Sequence, residues 1–264
     1  MIETLKGNEA TARSEAGSNT YHMGRFLNEV LNPTFLAVME RKDTEQAELA
    51  ASDDVLNQVK RVISQSTNDS LLRDMGVAFC LSIQAIWERG FRAYVQKCAS
   101  AMRDETAEAK SKATPWTDVK DGFQLIQGIS LSQYPQSAEL ELLHMIGNAC
   151  RHGPGKSLDR LMRSNPELWP GGVDVSYPTG PMQGLLISHE RLQRFAAAVR
   201  SFWSSIDLEL YEQQYSEEER QAHREKEEAF RSVDIEVPRE KMRKFLLERF
   251  GQPPRPADGP SPSI

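Results

Sequence analysis

Cysteine is scarce in this 264-residue chain: Cys80, Cys98 and Cys150 are far apart and form no Cys-x-x-Cys pair. An odd, scattered set supports neither a disulfide framework nor a zinc knuckle, and it fits a reducing cytosol. Aromatic residues are few, at 8%. Long apolar runs are missing as well. The longest, Val77 to Trp87, is interrupted by Ser82 and Gln84. It is shorter than the roughly 20 residues that cross a bilayer and reads as a buried helix. The N-terminal stretch MIETLKGNEATARSEAGSNT lacks the apolar segment of a secretory signal. Nor is there an excess of positive charge: 32 Lys and Arg stand against 38 Asp and Glu, a net charge of −6. Nothing in that balance draws the whole chain to nucleic acid or to an anionic membrane, so any such contact must come from a local basic patch. A cytoplasmic protein without a membrane segment or a bound cofactor is expected.

What the chain does contain is helical periodicity. Leu72, Met75, Phe79, Ile83, Ile86, Gly90 and Tyr94 recur at steps of three and four, which predicts one buried face on a long helix from about Asp69 to Met102. Before it, residues 1–19 are polar and read as frayed. Two short helices follow, broken at Asn32-Pro33 because a residue before proline avoids the α region, and then a segment with Ser52 as N-cap. After it, TPWTDVKDGFQLIQGI predicts a helix capped by Thr117, with Phe123, Ile126 and Ile129 facing inward. SAELELLHMIGNACRH predicts another, ended by Gly153-Pro154, and Ser157 caps a short helix to 164. The Pro- and Gly-dense stretch from Asn165 to Gly184 reads as a long loop with an extended piece at Val173–Tyr177. From Ser188 a second long helix begins. It turns highly charged in YSEEERQAHREKEEAFRS, a solvated helix or a surface for a protein partner.

No run of alternating strand-like segments occurs, so the fold class expected is all-α: a helical bundle with long core helices, a long Pro/Gly loop and no substantial sheet. The organisation expected is a polar N-terminus with accessory helices over 1–68, a bundle over 69–210, charged helices over 211–250 and a disordered Pro-rich tail over 251–264.

The densest chemistry lies in GNACRHGPGKS, residues 147–157. Its end, Gly155-Lys156-Ser157, matches the tail of a phosphate-binding P-loop. The position of the first glycine is Cys150, however, and the stretch follows a helix instead of a strand, so a nucleotide triphosphatase is not indicated. On the helix before the turn, Leu143, Ile146 and Cys150 form an apolar stripe. His144, Asn148, Arg151 and His152 share another face. A histidine near a helix C-terminus holds a proton more readily, and an arginine fork grips phosphate. One reading is phosphodiester chemistry on RNA, with His152 as acid or base, Arg151 stabilising charge and Asn148 orienting. The other is a histidine that merely caps the last carbonyls beside a solvated arginine. His144 and His152 are eight residues apart with no carboxylate or cysteine completing a set, so no metal is expected. Cys150 reads as an inert core thiol. Lys156, Arg160 and Arg163 extend Arg151 into a basic cluster able to hold phosphate, or are simply solvated charges.

GNACRHG resembles the Arg-Asn/His-x-x-x-His signature of the HEPN domain (higher eukaryotes and prokaryotes nucleotide-binding). WERGFRAYV on the long helix resembles that family's earlier bundle helix. The family is all-α and often dimeric, and many members are metal-independent endoribonucleases of bacterial toxin–antitoxin and antiphage systems. The resemblance covers about residues 69–210. It implies RNA or a nucleotide as ligand, a homodimer with one site shared between two copies, and His152 and Asn148 as catalytic positions. The family's arginine position holds Gly147, so Arg151 or Arg92 would have to supply the cation. Glu88 and His144 would stand behind these groups as support, or Glu88 would form a rim ion pair. Without the missing cation, the implied alternative is a dimeric module that binds RNA, a nucleotide or a protein without cutting.

Overall fold

The computed structural model describes residues 9–50, 54–153, 155–172, 182 and 184–214. The chain divides into two compact units, 1–210 and 211–264, and residues 211–214, the end of a helix, are what is described of the second. The described residues are helices and turns, without a strand. In chain order the helices are α1 (Glu9–Arg25), α2 (Asn32–Ala50), α3 (Val55–Met102), α4 (Glu105–Lys112), α5 (Trp116–Gln127), α6 (Ser137–His152), α7 (Lys156–Ser164) and α8 (His189–Gln214). A π-helical turn, Phe26–Leu31, joins α1 to α2.

The backbone of the architecture is an antiparallel pair. With 48 residues, α3 is about 72 Å long. The near-continuous α1–α2 rod runs alongside it: Glu15 meets Lys97, Phe26 and Phe35 meet Phe79, Lys42 meets Asp69, and Arg61 reaches the Leu49 carbonyl. The break expected at Asn32-Pro33 does not occur. Asn32 is itself helical (φ −61°, ψ −51°), and its N–H reaches the carbonyl of Leu27, five residues back. The widened turn tolerates a proline that lacks an N–H and crowds the preceding turn. The polar N-terminus is also more ordered than its composition suggested. Residues 9–19 are helical, with Ala12 and Ala16 buried, because small side chains let α1 lie close on α3.

Around the C-terminal half of α3, helices α4, α5, α6 and α8 complete a bundle. Its centre is aromatic. Trp87 meets Phe202 edge-on with centroids 4.8 Å apart, Phe91 packs on Phe123 at 4.9 Å, and Tyr94 packs on Trp203 at 5.3 Å. The buried face of α3 is Gly76, Cys80, Ile83, Gln84, Trp87, Phe91 and Tyr94. That face is rotated from the stripe read from periodicity. Leu72, Met75, Phe79 and Ile86 are half-buried, and Phe79 packs toward the rod. The helix is apolar on two sides because it has neighbours on two sides.

Several caps differ from expectation. Asp54 caps α3 through its side chain, and Ser52 lies outside the described residues. Thr117 and Ser157 fall inside α5 and α7, whose caps are Pro115 and Gly155. Ile129 lies beyond the end of α5 but still packs on the core. Gly153 ends α6 as expected, with φ +68°, and α3 starts at Val55, fourteen residues before the expected position. Of the long loop, Pro166–Leu168 is a 3-10 turn. Val173–Tyr177 lies outside the described residues, as do the charged stretch after Gln214 and the Pro-rich tail.

Candidate functional site

A cleft of about 590 Å³ opens between α3, the α4–α5 turn and the C-terminal half of α6. It is lined by Glu88 and Arg92 from α3, by Lys112, Ala113, Thr114 and Trp116 at the turn, and by His144, Asn148, Arg151 and His152 from α6. The helical repeat explains the meeting. Residues 88 and 92 are one turn apart on α3, and 144, 148, 151 and 152 share one side of α6, whose other side buries Leu140, Leu143 and Ile146.

Within the cleft, ions and carbonyls hold one another. Glu88 accepts from the Arg92 guanidinium at 3.1 Å and from Arg151 at 3.4 Å. Arg92 also donates to the carbonyls of Ala113 and Thr114, at 2.5 and 3.3 Å. Its charge sits 5.9 Å from the Trp116 ring centroid. Arg92 therefore ties the end of α4 to α3, and its fork is committed to protein partners. Arg151 is looser: among the described residues it holds, besides Glu88, its own helix, through Nε to the Gly147 carbonyl at 3.3 Å. Its side chain is 43% exposed, and it is the cleft guanidinium with capacity to spare.

The two histidines differ. His144 stacks on Trp116, with centroids 5.2 Å apart and planes 19° apart. Asn148 Nδ2 lies 2.9 Å from His144 Nε2. An amide nitrogen only donates, so Nε2 accepts and the ring proton sits on Nδ1, which is buried without a partner. Burial lowers the His144 pKa against the upward pull of Glu141 and Glu88, so this ring is neutral near pH 7. His152 is exposed at the end of α6, at the mouth of the cleft. Cys150 is half-buried, and burial raises its thiol to about 11, which leaves it unreactive at neutral pH.

Gly147 does not face the cleft. It is buried against α3, and a Cβ there would collide with the side-chain amide of Gln84. A side chain at the position that carries arginine in the family motif would have to push the buried Gln84 amide aside. Lys156 and Arg160 are exposed on α7, beyond the turn, and do not line the cleft. Sequence reasoning missed Lys112 and the packing role of Trp116. Only their neighbourhood to Pro115 marked a turn, and nothing local linked that turn to α6. No group of His, Cys, Asp and Glu able to hold a metal occurs among the described residues, and no described helix is long and apolar enough to cross a membrane. No family model, no curated protein and no solved structure matches the chain.

Proposed function

We propose that the chain is a HEPN-like protein acting on RNA as a metal-independent endoribonuclease. The observation that carries the reading is the single cleft in which His144, Asn148, Arg151 and His152 of α6 meet Glu88 and Arg92 of α3. In the proposed reaction the 2′-OH of RNA attacks the adjacent phosphorus and the P–O5′ bond breaks. A 2′,3′-cyclic phosphate and a free 5′-OH remain. His152, free in the cleft mouth, moves the proton. Arg151 lies one residue away and stabilises the charge growing on the phosphoryl oxygens. Asn148 and the neutral His144 fix the wall beside them, and Glu88 and Arg92 hold that wall to α3. Lys112, and Lys156 and Arg160 on α7, supply positive charge for flanking phosphates. The resemblance extends the reading to a toxin or effector of a bacterial defence or toxin–antitoxin system, with the charged sequence after residue 211 as the surface for a protein partner.

A second reading is favoured by Gly147: the family position supplies no cation and is filled by the Gln84 amide, so the cleft would bind RNA without cutting it. Incubation of total RNA and tRNA with purified protein in EDTA separates the two. Cleavage to cyclic-phosphate ends by wild type, lost in His152→Ala, supports the enzyme. Binding without cleavage by either protein supports the module. Neither binding nor cleavage, with both proteins folded, refutes both.

A further inference from the structure

The N-terminal third of α3 is built inside out. Its contacts to α2 are polar. Lys42 pairs with Asp69 at 2.7 Å, Glu45 accepts from Asn68 and Ser64 at 2.8 Å each, and Arg61 donates to the Leu49 carbonyl at 2.6 Å. On the side of α3 away from these contacts lie Val55, Leu56, Val59, Val62 and Ile63, between 51% exposed at Val59 and 71% at Val55. Their spacing is that of a helix packing seam broadened by one flanking position, the pattern of a bundle helix with more than one neighbour. Nothing in the described chain covers it.

We propose that this seam pairs with the same seam of a second copy, antiparallel, so that two α2–α3 hairpins close a four-helix bundle. Three observations fix the occupant. The first is self-match. An axis near Val59 sets Val55 opposite Ile63 of the second copy and Leu56 opposite Val62, so every seam residue meets an apolar one. Arg61 turns away to Leu49, and the exposed Lys60, next to the axis, stands at the rim of the contact. The second is area. Five such side chains expose on the order of 400 Å² of apolar surface, the size of the largest patch on a typical monomer, which is often functional. Two copies with their rims reach the ~1,000 Å² that specific association needs.

The third observation sets the direction. From Gly76 onward the chain's own segment partly covers that side of α3, with the Ile187 backbone against Gly76 and Met182 across an open cleft from Val77. A parallel partner would run into that cover, whereas an antiparallel one carries its bundle to the far end. Glu88 lies about 44 Å from Val59 along α3, so the two clefts stand about 90 Å apart. Each cleft then works alone, and the shared site implied by the family resemblance does not form through this pairing. The inference does not depend on RNA being the ligand.

The test is sedimentation equilibrium of the full chain, wild type beside Val59→Glu/Ile63→Glu. Both side chains are more than half exposed, so the variant keeps its helical circular dichroism. The expected result is twice the chain mass for wild type and the single mass for the variant. As a second readout, Val59→Cys under mild oxidation should form a disulfide-linked dimer in more than half of the chains, and Ser66→Cys, seven residues from the axis, far less. A monomeric wild type, a dimer that survives the double substitution, or failure of Val59→Cys to cross-link would each overturn the proposal.

Discussion

Along one uninterrupted helix, the two ends of α3 solve the burial problem in opposite ways. Toward its C-terminus, Trp87, Phe91 and Tyr94 are buried among Phe123, Phe202 and Trp203, and the ions Glu88 and Arg92 stand at the rim. Toward its N-terminus, ions and amides face α2 while valine, leucine and isoleucine face outward. The difference teaches that periodicity marks which residues want a neighbour without saying which chain provides it. At one end the chain wraps back on itself, and at the other the apolar side stays exposed, which is the contact the proposed second copy would supply. The cleft follows the same division, because it lies at the aromatic end, where α3 packs against α6.

Breaking the aromatic end should have the largest effect. Trp87→Ala should cost about 3–5 kcal/mol of stability in urea unfolding. By contrast, Ile63→Ala made in the Val59→Glu background should stay within about 0.5 kcal/mol. Comparable losses would erase the distinction between the two ends. Next comes Gly147→Arg. The family motif would have this change restore a cation, but packing against Gln84 predicts a loss of about 1–3 kcal/mol from overpacking and no gain in RNA cleavage. Arg92→Met should cost about 1–3 kcal/mol by stranding the Ala113 and Thr114 carbonyls and leaving Glu88 with one partner. A red shift of tryptophan fluorescence would report the loosening around Trp116.

A smaller effect concerns pH. Burial depresses the pKa of His144 and of His189 below the ordinary 6.5. The unfolded chain therefore takes up protons first as pH falls through about 6.5, and stability falls with it until the folded-state values are passed. Above that window both rings are neutral in both states and contribute no slope. Denaturation midpoints between pH 8 and 5 should show this fall in wild type and a shallower one in His144→Gln; parallel curves would remove His144 from the account. Smallest of all, Lys42→Met at the inside-out end should change stability by at most about 1 kcal/mol, because the Lys42–Asp69 pair is partly exposed.

Helices were legible wherever apolar periodicity was strong. The all-α class, the aromatic helix around Trp87 and the end of α6 at Gly153 could all be read from residues alone. Positions that depend on distant partners could not. Ala12 and Ala16 gave no local signal of burial, since alanine is equally at home on a surface. Pro33 read as a break because the π-helical turn that accommodates it leaves no mark in composition. The stripe chosen for α3 straddles two faces: Phe79 and Gly90 lie toward α1 and α2, whereas Ile83 and Tyr94 lie in the buried face of the bundle. For the site, helical spacing grouped His144, Asn148, Arg151 and His152 correctly, and Glu88 and Arg92 were named on α3. That Arg92 spends its donors on the α4–α5 turn, that Lys112 reaches the cleft and that Gly147 packs on the Gln84 amide are tertiary facts beyond any local pattern.

The most direct measurement is RNA cleavage in EDTA by wild type, His152→Ala, Arg151→Ala and the seam variant Val59→Glu/Ile63→Glu, each shown to be folded. The division of labour along α3 predicts that the seam variant cleaves at close to the wild-type rate as a monomer. Both α6 variants should lose at least tenfold. Cleavage that survives in both α6 variants, or that disappears with the seam, would contradict it.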